Sequence, residues 1–253
     1  MPYIIAISNE KGGVAKTTTT MSLGAALVET GKKVLLIDLD SQGNLTLAGG
    51  LEPKGLLLTS RDVLLDGKPL SSVISHTRTP NLDIVPANNA MDQAESVLPV
   101  RIHYECLLRE AIYQSHPTYD YILIDCPPML GAVTLNALSA AQLLIIPTQA
   151  EYFSAYALRD MMSMIRRVRG QANPGLAYRI LITLLDQRNR THRGIRQQLQ
   201  QTFGTGLFDT VIEVDTKLRE SPIVGTPITQ FKPGSRGSTQ YRALAQELIV
   251  YVQ

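Results

Sequence analysis

The sequence predicts an α/β fold in a single domain over residues 1–253: a mostly parallel β-sheet with helices on both faces. Three observations carry this. An apolar run, Tyr3-Ile4-Ile5-Ala6-Ile7, leads through a glycine-containing turn into a helix-like segment from about residue 17 to 29. Strand-length apolar runs then recur at 33–38, 119–125, 142–147 and 179–185, alternating with helical patterns. Finally, 253 residues with 44% apolar content supply one sizeable core without requiring a second domain.

Taken in order, Gly31 fits a helix C-cap and Lys33 to Asp38 a buried strand. Residues 47–118 carry the weakest pattern. Short helices are expected at 61–65 and 91–98, a strand at 82–86, and an amphipathic helix over 101–114. That last helix would place Ile102, Leu107, Leu108 and Ile112 on its apolar side, with Cys106 facing the core. Turns fall at Gly67-Lys68-Pro69 and Thr79-Pro80-Asn81. After the strands at 119–125 and 142–147 comes a helix over 155–169 with Arg159, Arg166, Arg167 and Arg169 on its polar side. A strand at 179–185, a loop at 186–191 and a closing core helix at 241–252 complete the order.

The turn after the first strand is built for phosphate. Glycines let successive N–H groups point at an anion, Lys16 adds a mobile positive charge, and the free N–H groups of a helix start favour negative charge. The Thr17 hydroxyl is placed to reach a Mg²⁺ ion. The strict pattern G-x-x-x-x-G-K-[ST] is broken, because Glu10 stands at the first glycine and Ala15 at the last. Ala15 therefore needs a backbone conformation that tolerates Cβ. Two further strands end in acid at the edge where open α/β sheets bind ligands. Asp38-Leu39-Asp40-Ser41-Gln42-Gly43-Asn44 offers a carboxylate to orient an attacking water, and Asp125 closes an apolar strand as a metal-supporting acid must.

The run K-G-G-V-A-K-T-T-T resembles the deviant Walker A motif, K-G-G-x-G-K-T, of the ParA/MinD family of ATPases. The resemblance extends to D-L-D-S-Q-G-N at 38–44, to D-C-P-P with Gly131, to Thr148-Gln149-Ala150-Glu151-Tyr152, and to the segment Thr210 to Pro222. It is strongest with partition ATPases of the ParA/Soj type and with cargo-positioning relatives such as McdA. It implies a P-loop NTPase that uses ATP and Mg²⁺. Lys11, Gly12, Gly13, Val14, Ala15, Lys16, Thr17 and Thr18 would form the nucleotide loop, and Lys11 would reach the ATP of a partner subunit in a sandwich homodimer. Asp40 would be needed for hydrolysis, Thr17 would hold the metal, and Asp125 would support it through water. Glu213 and Asp215 replace the family's Pro and Asn beside the adenine. Ser41 replaces a proline.

Composition separates the two halves of the chain. Residues 1–154 carry 10 Lys and Arg against 15 Asp and Glu; residues 155–253 carry 14 against 7, and 12 of those 14 are arginines. A basic half of this kind is a hint of nucleic-acid contact. In resembling partition ATPases the DNA-contacting positions fall on Arg188 and Lys217; Arg219, Arg190, Arg193 and Arg196 are near in sequence. No apolar run approaches a membrane span and no signal peptide is apparent, so a cytoplasmic, nucleoid-associated protein is expected. Cys106 and Cys126 are expected to be reduced thiols without a redox role. His76, His103 and His116 lack convergent ligands.

The expected function is an ATP-dependent dimer that binds double-stranded DNA nonspecifically and segregates a plasmid or chromosome through a ParB-like adaptor. The chain starts almost at the phosphate loop, which leaves no room for an N-terminal helix-turn-helix. Positioning of a protein cargo such as carboxysomes is the close alternative. A MinD-like membrane ATPase would need a basic amphipathic helix after the core, whereas the last segment has one arginine and one glutamate, so no membrane partner is expected. A ligase or reductase partner such as dethiobiotin synthetase or a nitrogenase-type iron protein is disfavoured by the 38–44 and 151–153 stretches.

Overall fold

The computed structural model describes residues 1–151 and 154–252, apart from the side chain of Ala155. Its centre is a seven-stranded sheet. In chain order the strands are β1 (Tyr3–Ile7), β2 (Val34–Asp38), β3 (Ser75–His76), β4 (Leu82–Val85), β5 (Tyr121–Asp125), β6 (Leu143–Gln149) and β7 (Ala177–Thr183). Across the sheet the order is β3-β4-β2-β5-β1-β6-β7, parallel except for the short β3–β4 pair. The predicted α/β architecture with a mostly parallel sheet is thus what the chain adopts.

Each central strand reads as near-continuous hydrophobic because both faces are covered. One face is packed by α1 (Lys16–Glu29), α2 (Asn44–Ala48), α9 (Lys217–Glu220), α10 (Ile228–Phe231) and α11 (Arg236–Val252); Leu23, Leu27, Leu218, Tyr241, Leu244 and Leu248 share a core with Ile5, Leu36, Leu123 and Ile145. The α1 helix lies close to the sheet at Gly24, where a Cβ would stand 2.9 Å from a Leu36 methyl. The other face carries α3 (Ser60–Asp66), α4 (Asp92–Val97), α5 (Leu107–Ser115), α6 (Ala132–Ala140), α7 (Ser154–Gln171) and α8 (Arg190–Phe203). Beyond β7, residues 207–214 shield the open edge: Phe208 N donates to Ile180 O and Ile212 N to Ile182 O.

The bounds of several elements shift by a few residues, the closing helix starting at Arg236 rather than 241, and the largest departure has a clear reason. The helix expected over 101–114 begins only at Leu107; Arg101 is extended and His103 is left-handed (φ 55°). The Arg101 guanidinium donates to the carbonyls of Leu64 (3.4 Å) and Leu65 (2.7 Å), which fixes the chain in a non-helical path. Ile102, expected on the apolar side, is consequently 87% exposed. Cys106 is half-buried, with its sulfur accepting from Arg109. The strand expected at 179–185 is shifted to Ala177–Thr183, and Leu184 is left-handed (φ 52°).

Candidate nucleotide site

Residues 8–15 leave β1 and enter α1, so their backbone curls above the carboxyl ends of β1, β2 and β5. Gly13 (φ 74°) and Ala15 (φ 68°, ψ 35°) supply the left-handed positions. Ala15 thus keeps a conformation suited to glycine and carries a strain of about 1–2 kcal/mol for its methyl group. Neighbouring elements brace the curl. Thr183 Oγ1 donates to Val14 O (3.0 Å), Gln149 Nε2 to Gly13 O (3.1 Å) and Asn9 Nδ2 to Pro147 O (2.8 Å). None of these supports was predicted, because they join β6 and β7 to the loop across more than 130 residues.

Lys16 is only 7% exposed, and its Nζ donates to Lys11 O at 3.1 Å. Burial pulls its pKa down, while the nearby carboxyls of Asp125 and, more weakly, Asp40 oppose the shift. Beneath it, β2 and β5 pair in a register that sets Asp38 beside Asp125. Asp125 Oδ2 accepts from Thr17 Oγ1 (2.7 Å) and Oδ1 from Thr20 Oγ1 (3.2 Å). Burial first and the Asp38 charge second push the Asp125 carboxyl up to about 8, against the pull of Thr17 and Lys16. Asp38, pushed up to about 6 by burial, accepts from the Thr46 hydroxyl (2.8 Å), Thr46 N (2.9 Å) and Asp40 N (3.1 Å). It is a loop anchor. Asp40, two residues on, lines the cavity above and accepts from Gln42 N (3.0 Å).

That cavity, of about 640 Å³, has a polar end and an apolar wall. Gly12, Gly13, Ala15, Lys16, Thr17, Thr18 and Asp40 line the first; Leu184, Ile212, Val214, Leu218, Pro222 and Ile223 line the second. Such a division suits a phosphate chain joined to a flat base. The Thr17 hydroxyl beside the Asp125 carboxylate is an oxygen donor set suited to Mg²⁺, which takes few protein ligands and keeps water and phosphate oxygens. Among the described residues no cluster of three or more His, Cys, Asp or Glu forms a metal cage. The Cys126 thiol is buried and its pKa is pushed up, so it is inert.

Several predicted residues stand elsewhere. Of the two base-side acids, Asp215 lines the cavity, but its oxygens accept from Lys217 N (2.9 Å) and Gly237 N (2.8 Å). Glu213 does not line it; its carboxylate accepts from Arg236 (2.7 Å) and Gln187 (3.2 Å). Val14 points into the core. Lys11 reaches away from the chain's own cavity, with its Nζ 2.5 Å from Glu151 Oε2 and 3.2 Å from Gln149 Oε1. Tyr152, in the motif that supplies Glu151, lies outside the described residues. Arg188 is exposed and bonded to Asp186 (Nη2–Oδ2 3.0 Å), whose carboxyl is held down at about 2. Lys217 pairs with Glu220 (2.6 Å), and Arg219 lines the nucleotide cavity rather than grouping with Arg188.

A glycine-containing loop curled at a helix start with a buried lysine calls for a polyanion, and Thr17 beside Asp125 for one that carries a metal; the fold and site define a P-loop nucleotide-binding protein of the deviant Walker A class. The AAA domain family model matches residues 2–178. The sporulation initiation inhibitor protein Soj of Bacillus subtilis (strain 168) is 39% identical over 98% of each chain. Chromosome partitioning protein ParA of Caulobacter vibrioides is 36% identical over 97% of this chain and 93% of its own. Among solved structures, cobyrinic acid a,c-diamide synthase from Mycobacterium smegmatis with bound ADP and magnesium superposes with a TM-score of 0.85 at 34% identity, covering 100% of this chain and 96% of that one. The chain belongs to the AAA domain family, in its ParA/Soj branch.

Proposed function

We propose that residues 1–253 act as one ATPase unit that dimerises on ATP, binds double-stranded DNA without sequence preference, and segregates a plasmid or chromosome through a ParB-like adaptor. The observation that carries this reading is the division of labour between the two lysines. Lys16 is buried at the phosphate end of its own cavity, whereas Lys11 points out of it toward Glu151, which supports a role for Lys11 at the nucleotide of a second subunit. Names of relatives aligned over nearly the whole chain, Soj and ParA, support the segregation role.

Catalysis here is positioning and charge neutralisation. Lys16 holds the phosphates, and the N–H groups of the loop add to it. Thr17 and, through water, Asp125 would hold Mg²⁺, which would supply neutralisation of the phosphate oxygens. Asp40, at the cavity wall, orients the attacking water and accepts its proton. Lys11 from the partner adds the last positive charge, which makes turnover contingent on dimerisation.

The DNA surface lies in the basic half, with Arg188 and Lys217 as its centre. Such a surface doubles in a dimer, and its phosphate contacts add through counterion release. The same cycle would carry a protein cargo such as a carboxysome. A membrane reading is weaker: among the described residues no helix is long and apolar enough to cross a bilayer, and α11 turns Tyr241, Leu244 and Leu248 into the core. The protein would therefore act on the nucleoid in the cytoplasm. Co-sedimentation with random-sequence duplex DNA and with anionic phospholipid vesicles, each with ATP and with ADP, tests the reading. ATP-dependent pelleting with DNA alone is the expected result, and pelleting with vesicles alone would overturn it.

A further inference from the structure

The α6 helix begins directly after the loop that follows Asp125, and its own N-terminus offers no capping side chain, since Gly131 stands at the cap position. The cap comes from 37 residues upstream. Glu95, on α4, accepts from Ala132 N through Oε2 (2.8 Å) and from Val133 N through Oε1 (3.1 Å). A carboxylate at a helix start gains both from the charge-assisted bonds and from the helix dipole. It sits so near the backbone that a Cβ at Gly131 would fall inside its van der Waals envelope. Backbone conformation does not call for glycine at 131, where φ is −94°, but a methyl group there would have to push the Glu95 carboxylate aside.

The loop between Asp125 and Gly131 is thus fastened at both ends. At the β5 end, Cys126 N donates to Ile7 O (3.1 Å) and Leu39 N to Asp125 O (3.0 Å). At the α6 end, the Glu95 cap is joined by Thr134 Oγ1, which donates to Met129 O (2.5 Å). Pro128, between them, lines the nucleotide cavity. The α4 helix is itself tied to the loop that carries Asp40. Thr46, whose hydroxyl donates to Asp38, accepts from Ala87 N (2.9 Å), and Asn88 caps the turn leading into α4. A continuous set of bonds therefore runs from Asp38 through residues 87–91 and Glu95 to the start of α6.

We propose that Glu95 is a positioning residue for ATP hydrolysis: by capping α6 it holds the 126–131 loop against the nucleotide and locks it to the loop that carries Asp40. The proposal rests on the ATPase reading above. Its contribution is to turnover, because the phosphate loop that binds nucleotide is braced by β6 and β7 and does not depend on Glu95.

The test is steady-state ATP hydrolysis together with nucleotide affinity from a fluorescent ATP analogue, on wild type, Glu95→Ala, Glu95→Gln, Gly131→Ala and the double variant Glu95→Ala/Gly131→Ala. Displacing a loop that lines the site should lower kcat of Glu95→Ala by about 10- to 100-fold while affinity stays within about twofold. Glu95→Gln, which keeps one acceptor oxygen, should recover part of that loss. Gly131→Ala should lower kcat alone, yet add nothing in the double variant, where its methyl meets no carboxylate. Wild-type turnover in Glu95→Ala, a loss of affinity equal to the loss of kcat, or additive effects in the double variant would each overturn the proposal. A wild-type protein without ATP turnover overturns the ATPase reading first and the proposal with it, an outcome distinct from the other three.

Discussion

Replacing Ala15 by glycine should stabilise the protein. At φ 68° and ψ 35° the Ala15 methyl crowds the backbone, at a cost of about 1–2 kcal/mol that glycine does not bear. Glycine in turn has more conformational freedom to lose on folding, worth about 0.4–1 kcal/mol in the opposite direction. The net gain is roughly 0.5–1 kcal/mol. With an unfolding entropy near 2.1 cal/mol/K per residue, a chain of 253 residues has about 0.5 kcal/mol/K in total, so Tm should rise by about 1–2 °C. Differential scanning calorimetry of the nucleotide-free protein resolves such a shift. Ala15→Val should lower Tm by more than this, since a β-branched side chain fits the left-handed region poorly. A lower Tm in Ala15→Gly would refute the reasoning, because it would mean that the methyl makes a contact worth more than the strain.

Other expectations follow from the same geometry. Asp40→Ala should keep nucleotide affinity but lose about 100-fold or more in kcat, as read by single-turnover hydrolysis. Glu151→Gln removes the exposed acid that holds Lys11; with surface ion pairs worth about 0.2–1 kcal/mol and two such pairs released per dimer, ATP-dependent dimerisation measured by sedimentation should tighten by up to about 30-fold. The Asp125 carboxyl, raised to about 8, binds a proton more tightly folded than unfolded. Its contribution to nucleotide-free stability is therefore complete below its ordinary value near 3.8 and is lost as pH climbs through about 8; urea midpoints should fall from pH 6 to 8.5, and less so in Asp125→Asn. Arg188→Glu/Lys217→Glu should reduce DNA affinity at least about tenfold and flatten its salt dependence while the dimer persists, read by fluorescence anisotropy at several salt concentrations.

How much of this was legible in the chain depended on how local each determinant is. The positions of the phosphate loop, Asp40 and Asp125 at the carboxyl ends of their strands could be read because that placement is encoded within a few residues, beside apolar runs that are unmistakable. The partners of those residues could not. Thr20 and Thr46 look like ordinary helix threonines until β2 and β5 are paired, and Glu95 lies in the region of weakest pattern, far in sequence from the α6 helix it caps. The expected helix at 101–114 failed for a related reason: its apolar spacing was sound, but Arg101 finds carbonyls of α3 in space, and no local propensity encodes that. The direction of Glu213 was not legible because it lies in an irregular segment with no period to read: Ile212, Val214 and Asp215 line the cavity, while Glu213 turns to Arg236.

If ATP joins two copies of this chain through Lys11 of a second subunit, the dimer must depend on both the nucleotide and that lysine. Multi-angle light scattering of Asp40→Ala, which should bind ATP without consuming it, tests this most directly when run with ATP and Mg²⁺, with ADP and Mg²⁺, and in combination with Lys11→Ala. A dimer with ATP only, reverting to monomer when Lys11 is replaced, is the expected result. A monomer under every condition, or a dimer indifferent to nucleotide and to Lys11, would contradict it.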